Sequence, residues 1–122
     1  MSEIHRPGFV WTFPAVVDSV TDGDTVVCHV LWRPGEEAHG VNVRVEGINA
    51  LELSQRFGAE AKTFAESLVP LGTQVTLIAR RREKYGRFLA YITLPDGRDF
   101  SAEMLIAKAS DGITPLAVPY NA

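Results

Sequence analysis

Asp22-Gly23-Asp24-Thr25 sets two carboxylates either side of a glycine. Asp and Gly dominate tight turns for backbone reasons, so a β-turn accounts for the cluster by itself. Paired carboxylates at a hairpin tip also offer the oxygen ligands that a hard cation such as calcium or magnesium takes, with Asp24 held rigidly at a strand start. Further along, Arg44 is followed by Gly47-Ile48-Asn49-Ala50-Leu51-Glu52. Arg44 supplies a planar fork suited to a phosphate. Glu52 is a base able to take a proton from water, and Asn49 adds a side-chain carbonyl oxygen for a cation. A third cluster, Arg80-Arg81-Arg82-Glu83-Lys84-Tyr85-Gly86-Arg87, puts four arginines, a lysine and an aromatic within eight residues. That composition suits a phosphate chain with a base stacked on Tyr85. Taken singly, each cluster also reads as a turn or as solvated charge.

Such residues need rigid carriers. The chain has 122 residues, 46% hydrophobic and 22% charged, which makes one ordinary domain, since a second would leave neither half enough core. Residues 1–13 read as an N-terminal arm and 14–122 as the domain. Residues 15–20 and 25–32 are Val-rich runs either side of Asp-Gly, a strong hairpin signal. Residues 33–40 read as a polar loop. Val41, Val43 and Val45 alternate with Asn42, Arg44 and Glu46, which predicts a half-buried strand with Arg44 opposite the valines. Residues 47–56 look irregular. Ala61, Phe64, Ala65 and Leu68 fall at helical spacing within 58–69, and Pro70 and Gly72 end the helix. Strands at 73–79 and 87–94 flank a charged hairpin loop at 80–86. Ser101 is placed to cap a short helix carrying Met104, Leu105 and Ala107, and residues 110–122 read as a tail. The expected fold is α+β: a five-stranded antiparallel OB-type barrel with a helix between strands 3 and 4 and a short C-terminal helix.

Composition excludes several functions. The net charge of −3 and a pI near 5.6 exclude a protein that coats nucleic acid by bulk charge. The charge is uneven, however. Residues 80–98 hold six basic and two acidic side chains, and the remainder six basic and thirteen acidic, so a local grip on phosphate stays open. The single cysteine, Cys28, excludes an internal disulfide and a Cys-rich metal knuckle, and its mid-strand position reads as core. His5, His29 and His39 lack helical ligand spacing, which argues against a zinc enzyme, although ligands distant in sequence can converge. The longest apolar run, residues 26–32, falls far short of the roughly 20 residues of a membrane span. No apolar signal segment opens the chain.

In this joint order the clusters resemble the staphylococcal nuclease (thermonuclease) family. The likeness lies in VVDSVTDGDTVV, VRVEGINALE, FGAEAKTFAESL and KYGRFLAYITLPDG, with the closing AVPY similar to tails of short members. It spans most of the chain, and DGDT together with KYGR-LAYI is its specific part. The resemblance implies an OB barrel with helices that cleaves DNA and RNA phosphodiesters with calcium, breaking the bond to the 5′ oxygen and leaving 3′-phosphate ends. It implies that Asp24, Asn49 and the backbone carbonyl of Ala50 ligate the metal. Arg44 would bind the scissile phosphate, Glu52 act as general base and Arg87 stabilise the transition state and leaving oxygen. Lys84, Tyr85 and Tyr120 would hold the substrate's terminal phosphate and base.

Two positions depart from the family's usual Asp-x-Pro-Glu at the metal loop. Asn49 removes a negative charge, which should weaken calcium binding. Leu51 replaces proline, which should leave the loop carrying Glu52 less rigid. The last helix of the longer relatives is missing too, so a second copy of the chain, a homo-dimer, is an expected cover for that surface. The expected function is thus a calcium-dependent nuclease acting on DNA and/or RNA with little sequence preference. It would have no membrane partner and would reside in the cytoplasm, or in a phage-infected host cell. The alternative is a catalytically weak OB-fold module that binds single strands; the retained Asp24, Arg44, Glu52 and Arg87 speak against it. Without a cation, Asp22, Asp24 and Glu52 should repel the substrate they face, making metal-free binding modest.

Overall fold

Valines at every second position build the sheet. In the computed structural model, which describes residues 11–82 and 88–120 and only the backbone of 80–82, β1 runs Trp11–Asp22, β2 Thr25–Arg33 and β3 Glu36–Val45. Along β2, Val26, Cys28 and Val30 are buried while Thr25, Val27 and His29 are only half-buried, the two-residue period of a strand with one face in the core. Burial pushes the Cys28 thiol up to about 12, with the Asp18 charge adding to it, so Cys28 is an inert core residue. β1 begins at Trp11, within the stretch expected to be an arm, and pairs with β5 from Trp11↔Ala79 onward.

The remaining strands of the main sheet are β5 (Gln74–Arg82) and β6 (Phe88–Thr93). Neighbouring strands run in the order β1-β2-β3-β6-β5, and β5 returns to β1, so the sheet closes into a ring. Four of the pairings are antiparallel, as expected. The β3–β6 pair is parallel, with Val43↔Phe88, Arg44↔Leu89 and Val45↔Ala90 in register. The reason is topological: strand direction cannot alternate all the way round a ring with an odd number of members.

Further local expectations change, and β5 itself extends to Arg82, into the stretch 80–86 expected to be a loop. Residues 36–40, expected in a loop, belong to β3, and the turn is confined to residues 34–35. Residues 48–50 and 117–119, expected to be irregular and tail, form β4 (Ile48–Ala50) and β7 (Ala117–Pro119), a two-stranded antiparallel pair. Three-residue strands are too short to show a period. The chain reaches β7 through an ordered turn: Ser110 donates to both carboxylate oxygens of Glu60 at 2.7 Å. Asp111 accepts from the Ile113 N–H and from Thr114, and those hydrogen bonds hold its carboxyl down to about 2.

Helix α1 (Gly58–Leu68) buries Ala61 and Ala65, and α2 (Phe100–Ile106) buries Phe100 and Met104. The cap of α2 is Asp99, which accepts from the Ala102 N–H at 2.9 Å. Ser101, expected in that role, is buried and donates to the Glu46 carbonyl at 2.7 Å. Val17, Val26, Val30, Val43, Leu77 and Ile92 join Ile48, Phe100 and Met104 in one core cluster. Each such side chain contributes about 1.5–3 kcal/mol on burial. No helix among the described residues is long and apolar enough to cross a membrane.

The β1–β2 turn lies directly on β4. A Cβ at Gly23 would stand 2.6 Å from the Ala50 Cβ, with Met104 and Ala61 at 3.2 and 3.3 Å, so only glycine allows this approach. Gly23→Ala should cost about 1–3 kcal/mol in urea unfolding, as overpacked cores do, and Ala50→Gly in the same chain should recover part of the loss. A Gly23→Ala protein with the parent's unfolding midpoint would contradict this packing.

Candidate active site

Asp24 follows that turn directly. Its N–H donates to Asp22 Oδ1 at 3.2 Å, its Oδ1 accepts from Thr25 Oγ1 at 3.2 Å, and its Oδ2 accepts the Ala50 N–H at 2.8 Å. Only 9% of Asp24 is exposed. Its carboxyl is held above the usual carboxylate value, first by burial and then by the hydrogen bond with Asp22; the Ala50 N–H and the Arg44 charge pull the other way. A carboxylate buried beside a second carboxylate gains from a cation.

Arg44, on β3, is also only 9% exposed. The expected solvated face is covered by the turn into β4 and by Tyr120. Buried guanidinium groups need partners. Arg44 Nη1 donates to the carbonyls of Val45 at 2.7 Å and Ile48 at 3.0 Å. Its Nη2 reaches Asn49 Oδ1 at 3.4 Å and stands 3.7 Å from Asp24 Oδ2. The Tyr120 ring lies 5.7 Å from the guanidinium carbon, within cation–π range, and the Tyr120 backbone N–H donates to the Gly47 carbonyl. One edge of Arg44 is thus fixed to backbone and the other turned toward Asn49 and Asp24.

Glu52 sits in the loop between β4 and α1. The Leu51 N–H donates to the Leu116 carbonyl at 3.0 Å, the Glu52 N–H to Gln55 Oε1 at 2.6 Å, and the Gln55 N–H to the Glu52 carbonyl at 2.8 Å. A Cβ on Gly58 would fall 1.8 Å from that carbonyl, so the loop lies flat on the helix start only because residue 58 has no side chain. Phe57 enters the helix in the left-handed conformation, φ 64°, which costs a non-glycine residue about 1–2 kcal/mol. The looseness expected from Leu51 in place of proline is countered by these bonds.

Asp22, Asp24, Arg44, Asn49 and Glu52 line one cleft of about 510 Å³, with Thr21, Thr25, Leu53 and Ser54. Among the described residues, three acids line it with one arginine. Their oxygens, with the Asn49 amide, form the hard donor set that calcium or magnesium takes. Ala50, buried behind the cleft wall, meets it through the N–H held by Asp24. Lys84, Tyr85 and Arg87 lie outside the described residues. Arg98, part of the basic segment, is engaged by Asp96 at 2.7 Å and Glu103 at 3.2 Å. Sequence reasoning missed Gln55, Gly58 and β7, which act through backbone contacts.

Residues 42–111, including Arg44, Asn49 and Glu52, match the family described as Staphylococcal nuclease homologue. The chain belongs to the staphylococcal nuclease family. An "Uncharacterized endonuclease" of Escherichia coli O157:H7 is 30% identical over 109 residues, covering 84% of this chain and 67% of the relative. A relative of the same description from Escherichia coli matches to the same extent. As a staphylococcal nuclease homologue the protein is a hydrolase of the nuclease type, and nucleic acid is its substrate class.

Because folded Asp24 holds its proton more tightly than the unfolded chain does, metal-free protein should lose stability as pH rises above about 4, through the folded-state value. Asp24→Asn keeps an acceptor for the Ala50 N–H and removes that titration. In chelator at neutral pH its Tm should equal or exceed the parent's, and its melting curve should shift less with pH. A variant that melts well below the parent under those conditions would contradict the cost of ionising the buried Asp24 carboxyl.

Proposed function

We propose that this staphylococcal nuclease homologue is a calcium-dependent nuclease that hydrolyses phosphodiester bonds of DNA and RNA with little sequence preference. The observation that carries the reading is the cleft itself, where a desolvated Asp24 beside Asp22 shares one wall with the fixed guanidinium of Arg44. Asp24 and Asn49 would hold the calcium with the Ala50 carbonyl, the last on its family position alone. When bound, the ion supplies positive charge against the phosphate and makes an attached water more acidic.

The chain's own residues do the rest. Arg44 donates its free edge to a non-bridging phosphate oxygen, and its other edge stays on the Val45 and Ile48 carbonyls, so little rearrangement accompanies the reaction. Glu52 takes a proton from water as the water oxygen bonds to phosphorus in line with the departing 5′ oxygen. The P–O5′ bond breaks, leaving a 3′-phosphate and a 5′ oxygen that acquires a proton from solvent. Arg87 stabilises the leaving side, and Lys84, Tyr85 and Tyr120 hold the neighbouring phosphate and base. Contacts to phosphate carry no sequence information, in keeping with broad substrate choice.

Single-stranded DNA should be degraded in millimolar calcium and left intact in chelator. Glu52→Ala should lose about a hundredfold to ten-thousandfold in rate, the range for a general base. Binding without cleavage in calcium would favour the single-strand-binding module instead, and a fully active Glu52→Ala would remove Glu52 as the base. Gln55→Ala, which frees the Glu52 N–H, should lower kcat more than it raises KM and cost about 1 kcal/mol of stability. Unchanged kcat would mean that Gln55 does not position Glu52.

A further inference from the structure

His29 and His39, which lack helical spacing in the sequence, come together across β2 and β3. The register runs Cys28↔Val41 and then Val30↔Ala38, so residues 39 and 40 both stand opposite His29. This bulge brings His39 beside His29, their ring centroids 3.9 Å apart. Glu37, two residues before His39, shares its strand face, and its Oε1 lies 2.5 Å from His29 Nε2. One ligand atom from each of His29, Glu37 and His39 fits within 4.8 Å of the others. His29 is half-buried and the other two are exposed.

The geometry points to a second metal site, in which His29, Glu37 and His39 bind zinc on the outer face of the β2–β3 hairpin. Two imidazoles and a carboxylate are a ligand set for a borderline divalent ion, whereas calcium prefers oxygen alone. Donors bound tetrahedrally at about 2.1 Å from zinc stand about 3.4 Å apart. Glu37 Oε1 and His29 Nε2, 2.5 Å apart, must therefore open by about 1 Å and the wider separations, up to 4.8 Å, close by about 1.4 Å at most, which small torsional changes in exposed side chains achieve. The site is separate from the cleft: Thr25 and Arg44, paired at the cleft end of the same strands, lie four residues from His29, about 13 Å along β2. Three protein ligands leave one position for water or a ligand from another molecule. The ion would tie β2 to β3 and add to stability without touching the residues proposed for cleavage.

Zinc chloride titrated calorimetrically into the full chain, free of any affinity tag and in excess calcium, should show one zinc bound per chain. Zinc at a hundredfold excess over its Kd should raise Tm by about 5 °C or more. His29→Asn with His39→Asn should weaken zinc binding by about a hundredfold or more, since even outer-shell partners of metal ligands are worth ten- to hundredfold. Asp24→Asn should leave zinc binding intact. Wild-type protein that binds no zinc at about 1 mM, or binding that survives the double histidine substitution, overturns the site. Cobalt(II) added to wild type gives a readout independent of any variant's folding. Strong visible absorption bands are expected from tetrahedral nitrogen and oxygen ligation; the faint bands of an all-oxygen octahedral ion overturn it.

Discussion

The hydrogen bond from the Ala50 N–H to Asp24 Oδ2 joins parts of the chain 26 residues apart, and the cleft depends on it. On one side is the β1–β2 turn, seated by Gly23 on the Ala50 methyl group. On the other is β4, which carries Asn49 and leads into the loop to Glu52. Asp24 therefore supports the cleft wall with one oxygen while it faces the cleft with a charge that burial disfavours. Structural support and charge fall on the same carboxylate, and burial makes its ionised form costly even with the Arg44 guanidinium 3.7 Å away.

Arg44 solves the opposite problem. A buried guanidinium is tolerated because backbone carbonyls of Val45 and Ile48 and the Asn49 amide accept its protons. Those carbonyls belong to the turn that β4 completes, and β4 is held in turn by β7. Tyr120, immediately after β7, lies over the same arginine. The end of the chain thereby helps to fix the orientation of the one described cation in the cleft.

The elements with a clear period were legible in the sequence: β2 and the end of β3 from alternating valines, and α1 from Ala61, Phe64, Ala65 and Leu68. Asp24, Arg44, Asn49 and Glu52 were legible as chemistry, and the structure places all four on one cleft. What escaped was everything set by tertiary contact. The burial of Arg44, the Asp99 cap that displaces Ser101, and the Gln55 bond to Glu52 depend on residues brought together by folding. The β4–β7 pair is too short to leave a pattern, and the His29–His39 contact needs a bulge that no local rule foretells.

The parallel β3–β6 pairing also bears on kinetics. Contacts between segments far apart in sequence form only after loop-closure entropy has been overcome, and hairpins precede them. The β1–β2–β3 meander and the β5–β6 hairpin are local; the closure that sets Arg44 beside Leu89 is not. Seating β6 against β3, like pairing β1 with β5 and β4 with β7, therefore carries loop-closure entropy that the hairpins do not.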